Sequence, residues 1–246
     1  MKSENIIVHT VWIGNELSLL EQLTIKLLQK YGHIVHLWSY TEVKNVPKNV
    51  VVRDASKILP KSSIFKYTGR GVHSIPNNGI GSLSHWSDQF QMKLLNEEGG
   101  IYSQLDVAYL GPLDFESEYI FAVKGSGIAP YTMKCPAKSE YTRECYEQLS
   151  KTINENTIKN MQWGCSMRLM FDVLCRFPHL KNPQNILSAK NYLDLGTKKD
   201  GPFFNDYSPP ENILLIHWSN ATVNDRKNDP IKGSYYEKLL KFVGLV

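Results

Sequence analysis

Ile6-Ile7-Val8-His9-Thr10-Val11, then Gly14-Asn15, then Leu17, Leu20, Leu27 and Leu28, then Gly32 and Ile34-Val35-His36-Leu37-Trp38: this N-terminal stretch decides the fold class. The first apolar run suits a buried strand. Gly14-Asn15 breaks it, and Asn15 is placed to cap the helix that follows. The four leucines give that helix one apolar face, and Gly32 after Tyr31 ends it. Ile34–Trp38 reads as a second strand and Val50-Val51-Val52 as a short third. Strand, helix and strand at this spacing mark a parallel sheet with crossover helices, an α/β fold.

The rest of the 246-residue chain fits around that unit. Residues 61–81 carry Gly69, Gly71, Pro76, Asn77, Asn78 and Gly79 and read as a long loop, a feature that in such domains is usually functional or mobile. Leu83, Trp86, Phe90 and Leu94 recur at helical spacing up to Gly99-Gly100. Ile101-Tyr102 then begins a strand, Ser103-Gln104-Leu105-Asp106 interrupts it, and residues 107–110 resume it. An acid presented at a strand end sits where open α/β sheets bind ligands. Further on, 119–123 reads as a strand, 139–153 as a helix, and 161–177 as a helix ended by Pro178. Ile213-Leu214-Leu215-Ile216 is a late strand running into His217-Trp218-Ser219-Asn220. With neither repeat nor linker visible, residues 1–246 read as a single domain.

Composition narrows the class. The chain is 42% hydrophobic and 21% charged, with a formal net charge of +4. No apolar run approaches the roughly 20 residues that span a bilayer, and Met1-Lys2-Ser3-Glu4-Asn5 does not read as a signal peptide. The expectation is a cytoplasmic protein. Its mild basicity fits a nucleotide, an anionic membrane surface or nucleic acid, and selects none of them. Cys135, Cys145, Cys165 and Cys175 form no C-x-x-C pair, so they read as small buried apolar residues rather than zinc ligands.

No Walker A run, G-x-G-x-x-G, H-E-x-x-H or G-x-S-x-G is present. What stands out is a set of residues at expected strand and helix ends: Trp12, Asp88, Asp106 and His217. Trp86-Ser87-Asp88-Gln89-Phe90-Gln91 with Gly99-Gly100-Ile101-Tyr102-Ser103-Gln104-Leu105-Asp106-Val107 resembles the S-D-x-x-R … G-G-x-Y-x-D-x-D-V block of DxD-motif sugar transferases. These are glycosyltransferase family 32, its bacterial capsule and lipopolysaccharide members, and more distantly the clostridial glucosylating toxins. His9–Gly14 resembles their first-strand motif, His36–Ser39 their second, and Ile216-His217-Trp218-Ser219 their C-terminal His-Trp element.

The resemblance implies a GT-A fold, a Rossmann-like mixed sheet with helices on both faces plus a C-terminal acceptor-binding part, and a nucleotide-sugar donor such as a UDP-sugar. Carried over residue by residue, the Val11 backbone and Trp12 ring would hold uracil. Asp88 would bind ribose or donor-sugar hydroxyls and, with Asp106, would count as catalytic. Asp106 would ligate Mn or Mg, with His217 as a second ligand or diphosphate contact, and Trp218 and Asn220 would lie in the loop closing over the donor. A hard cation held by carboxylate oxygen neutralises the diphosphate leaving group.

Two positions depart from the pattern. Gln104 stands where its first Asp would be, and Gln91 where its Arg would be. Gln104 can still offer a carbonyl to the metal but removes a negative charge, and Gln91 removes a bidentate clamp. The readings left open are an active transferase with an altered donor pocket, one with weakened metal dependence, and a nucleotide-sugar binder without turnover. Family precedent is retention of configuration. Asp114, Asp172 and Asp225 are unplaced candidates for a base, Asp114 reading as a turn residue. For the acceptor, a surface glycan stands first and a hydroxylated DNA base second, the latter on Lys61, Lys66 and Arg70 interleaved with Phe65, Tyr67 and His73.

Overall fold

A computed structural model describes residues 6–69, 79–153, 159–188, 190–194, 201–223 and 226–246. The N-terminal expectation holds: β1 (Ile7–Trp12) pairs in parallel with β2 (Ile34–Ser39), with α1 (Leu19–Lys30) between them. The helix begins later than Asn15, because residues 15–17 are tied to Lys44. Lys44 N–H donates to the Asn15 carbonyl at 2.8 Å, and Leu17 N–H to the Lys44 carbonyl at 3.1 Å. Ser18 is the actual cap, in a capping box with Glu21, a Ser-x-x-Glu signature present in the sequence.

β3 (Val51–Asp54), β4 (Gly100–Ser103), β6 (Ile120–Lys124), β7 (Gly127–Cys135) and β8 (Ile186–Leu187) complete a seven-stranded mixed sheet, ordered β3-β2-β1-β4-β7-β6-β8. β7 is antiparallel to both β4 and β6. Sequence reading did not find it, because Pro130 argues against a central strand. The sheet accommodates the proline with a bulge: Phe121 pairs with Met133 and Ala122 with Ala129, so residues 130–132 are extra on the β7 side. A smaller sheet has the order β5-β10-β9, with β5 (Val107–Tyr109), β9 (Tyr192–Asp194) and β10 (Leu215–His217).

The described structure falls into two compact units. The first comprises Met1–Arg53, Gln104–Asp114 and Ala189–Val246 and holds the small sheet. Its core gathers Leu20, Leu23 and Leu27 of α1 with Ala108, Phe203, Ile216, Trp218 and Tyr236. Two further helices belong here, the short α5 (Asn220–Val223) and α6 (Tyr235–Phe242). The second comprises Asp54–Ser103 and Phe115–Ser188. It contains α2 (Ser84–Glu98), α3 (Glu140–Thr152) and α4 (Cys165–Leu174), which pack together, with α4 also lying on β7. α2 ends at Gly99, whose φ of +68° and close approach to the Ala137 backbone leave no room for a side chain. α4 starts after the expected Met161, because Gly164 takes a left-handed φ of +77° that no helix continues through.

Cys135 and Cys145 are buried as expected, whereas Cys165 is half-buried and Cys175 exposed, and all four are free. Among the described residues no helix is long and apolar enough to cross a membrane.

Candidate active site

In the first unit Asp106, His217, Trp218 and Asn220 come together where β5 begins and β10 ends. β10 runs antiparallel to β5 and parallel to β9, pairing His217 with Val107 on one side and with Asp194 on the other. That register sets the His217 ring between two carboxylates. Its Nδ1 lies 3.0 Å from Asp194 Oδ1, and its Nε2 lies 3.4 Å from Asp106 Oδ2. Asp106 Oδ2 also accepts from Asn220 N–H at 2.8 Å, and the Asp106 carbonyl accepts from Trp218 N–H at 2.9 Å.

α1 fixes the backbone on either side of the acid. The buried Thr24 hydroxyl donates to the Leu105 carbonyl at 2.9 Å and accepts from Val107 N–H at 3.3 Å. Burial works against charge on both partners, but their mutual attraction wins. Asp106 is held below the usual carboxylate range by His217 and the Asn220 amide. His217, which burial alone would depress, is pushed up to about 9, by Asp106 and then Asp194.

Asp194 was not singled out from sequence. Its only local mark is the short run Tyr192-Leu193-Asp194, and its pairing with His217 depends on a parallel register between strands far apart in the chain. Gln104 is half-buried just after β4. Trp218 is 1% exposed, packed against Phe203 and Tyr236 with ring centroids 5.8 Å away in each case. It anchors the end of β10 in the core.

At the end of β1, Val11 and Trp12 are half-buried. The indole is locked in place: Nε1–H donates to the Glu16 carbonyl at 3.0 Å, and a Cβ on Gly14 would stand 2.8 Å from Nε1. Lys227 Nζ lies 5.8 Å from the Trp12 ring centroid and 2.8 Å from Oε1 of the fully buried Glu21.

The second unit holds Asp88 and Gln91, both on the buried face of α2. Asp88 Oδ2 accepts from the Ser166 hydroxyl of α4. Burial pushes the Asp88 carboxyl up to about 7, with the Ser166 bond partly opposing it. One turn earlier, His85 Nδ1 meets Cys165 Sγ at 3.6 Å. The His85 ring stacks on Tyr67 at 5.0 Å and meets Trp163 edge-on at 5.5 Å. Burial lowers its pKa to about 4, so it is neutral. Cys165 also lines a cavity of about 490 Å³ with Trp163, Gly164, Arg168 and Asp172.

Other candidates fall elsewhere. Asp114 is an exposed loop residue, and Asp172 pairs with Arg168 at 3.6 Å on the surface. Asp225, Arg70 and His73 lie outside the described residues. Tyr67 is fully buried and donates to the Met161 carbonyl at 2.9 Å. It is therefore unavailable to stack on a nucleic-acid base, which corrects the expectation placed on it.

No family model and no curated protein matches this sequence. Among solved structures the chain is similar to the PaToxG glycosyltransferase, at 15% identity, over 74% of this chain and 73% of that one, with a TM-score of 0.50. The likeness is one of fold. A seven-stranded mixed sheet flanked by helices is thus a GT-A-like glycosyltransferase architecture, as the sequence resemblance implied.

Proposed function

We propose that the protein transfers a sugar from a nucleotide sugar, a UDP-sugar in particular, to a hydroxyl acceptor. The observation that carries this reading is the Asp106–His217–Asp194 line at the strand ends of a glycosyltransferase-like fold. A histidine whose Nδ1–H is donated to a carboxylate, with Nε2 turned toward a second carboxylate, has the second-shell arrangement of metal-ligating histidines.

The residues present fit a divalent cation. The 3.4 Å between Asp106 Oδ2 and His217 Nε2 is a spacing that two ligands of one ion can take, each bond being about 2.1 Å. Among the described residues no three His, Cys, Asp or Glu side chains form a metal cage by themselves. Mg²⁺ is typically held by one or two carboxylates together with substrate phosphates and water. Asp106 and His217, once His217 gives up its proton, would hold the ion, with Gln104 offering a carbonyl. The bound ion would supply Lewis-acid neutralisation of the diphosphate leaving group.

In this reading Trp12 and the Val11 backbone receive the base, and Asn220 fixes Asp106 through its amide. Trp218 holds the strand end through its packing on Phe203 and Tyr236. Retention of configuration follows from the resemblance to family 32. A glycan is the preferred acceptor, since the burial of Tyr67 removes an aromatic from the nucleic-acid alternative.

The test is UDP release from a panel of UDP-sugars with and without Mn²⁺, on the wild type and Asp106→Asn. The expected result is turnover with one donor, stimulated by the metal and abolished in the variant with the fold intact. UDP binding without turnover would identify a binder rather than an enzyme. Neither binding nor turnover would overturn the reading.

A further inference from the structure

The parallel pairing of β8 with β6, Phe121 with Ile186 and Ala122 with Leu187, sets the loop ahead of β6 beside the turns ahead of β8. Two short 3₁₀ turns, Pro178–Lys181 and Pro183–Asn185, shape that second side. Between the two sides lies a cavity of about 690 Å³, lined wholly by residues of the second unit. Its size suits a small organic ligand.

The lining is biased toward hydrogen-bond acceptors. Glu116 and Glu118 stand exposed on it, and no lysine or arginine is among its lining residues. The nearby lysines are engaged elsewhere. Lys181 Nζ lies 3.9 Å from Cys175 Sγ and 6.0 Å from the Phe171 ring centroid, and Lys134 Nζ donates to the Phe115 carbonyl at 2.7 Å. A third acceptor lies deeper. Asn185 is 7% exposed and its Nδ2–H donates to the Leu180 carbonyl at 3.0 Å, while its Oδ1 has no hydrogen-bond partner among the described residues. Half-buried Phe115 and Tyr119 add ring surface to the lining. Tyr119 is fixed by its hydroxyl, 3.3 Å from Ser139 Oγ, and by stacking on Phe121 at 6.0 Å.

An ammonium group answers each of these features. It is a cation with three N–H donors and no acceptor, and carboxylates, amide carbonyls and aromatic faces all attract it. A neutral sugar would leave the two carboxylates without a counter-charge. A bare divalent ion is a poor match, since among the described residues no three His, Cys, Asp or Glu side chains gather to hold one. We propose that this cavity binds an organic ammonium group, presented by a free polyamine or by a lysine side chain. Such binding requires nothing of Asp106 or His217. Because the whole chain carries a net charge of +4, its overall field repels the ligand, and the attraction is local to the cavity.

The experiment is calorimetry on the whole chain at low ionic strength, with putrescine and Nα-acetyl-lysine amide as probes. The neutral diol of the same chain length as putrescine is the uncharged control. The expected result is saturable binding of an amine and none of the diol. Glu116→Gln and Glu118→Gln should each weaken amine binding about threefold to fivefold, the worth of one exposed ion pair, and the double variant about tenfold or more. Glu42→Gln removes the same charge at an exposed position outside the lining and should leave the affinity unchanged. Thermal melts matching the wild type show that these surface changes leave the fold intact. Putrescine bound without the lysine amide assigns a free polyamine, and the reverse assigns a lysine side chain. No amine binding, equal binding of the diol, an unchanged affinity in the double variant, or equal weakening by Glu42→Gln would each overturn the proposal.

Discussion

Asp88→Asn is expected to stabilise the protein at alkaline pH. The folded protein keeps the Asp88 proton up to about pH 7, against an ordinary value of 3.8, because the carboxyl is buried. Between those two values the folded state holds a proton that the unfolded chain has released, so this group's contribution to stability falls as pH rises. The difference is roughly three pH units at about 1.4 kcal/mol each, or about 4 kcal/mol in all, of which about 3 kcal/mol falls between pH 5 and pH 8. Asparagine accepts the Ser166 hydroxyl bond and has no charge to bury. Its amide N–H₂ is a new buried donor costing about 1–3 kcal/mol, so the net gain at pH 8 is about 1–3 kcal/mol. The assay is urea unfolding of both proteins at pH 5 and pH 8. The variant-minus-wild-type difference should move by about 3 kcal/mol in the variant's favour between the two. A difference that stays within about 1 kcal/mol across that range would show that Asp88 does not bury a charge, and would refute the reasoning.

Four other outcomes follow from the same physics. His9, depressed to about 4 by burial and then by His36 and Arg53, binds its proton only on unfolding. Stability should therefore fall as pH drops below 6.5, and His9→Gln should remove about 2 kcal/mol of the loss between pH 7 and pH 5 in urea melts. Lys227→Met strands the buried Glu21 carboxylate and should cost about 3–5 kcal/mol, while Glu21→Gln combined with Lys227→Met should recover most of it, as measured by a double-mutant cycle. Gly99→Ala places a Cβ 2.5 Å from the Ala137 nitrogen at a φ of +68°, and should cost about 2 kcal/mol or more in thermal unfolding. On the proposed reading of Asp106 and His217 as Mn²⁺ ligands, Asp194→Asn weakens the orientation of His217 and should raise the Mn²⁺ concentration needed for half-maximal turnover about 10–100-fold.

The contrast between Trp12 and Trp218 shows how far single residues could be read. Trp12 stood out as an aromatic at a strand end, and Trp218 through the resemblance, which put it in a loop over the donor. Trp12 stays half-exposed, because Gly14 and the Glu16 carbonyl hold its indole at the rim. Trp218 is drawn into the core by Phe203 and Tyr236, neither of which is a sequence neighbour.

What the chain declares by itself is local. β1, α1 and β2 follow from apolar runs, a Ser-x-x-Glu cap and a glycine stop, all interactions within a few residues. Asp106 and His217 stood out because one interrupts an apolar run and the other closes one; the structure puts Asp106 just before β5 and His217 at the end of β10. Tertiary structure alone decided that Asp194 meets His217, that Ser166 meets Asp88, and that β7 takes a central place despite Pro130. Those outcomes depend on strand register and on which helix faces pack together. Packing and register are collective properties of the folded chain, so no local periodicity carries them.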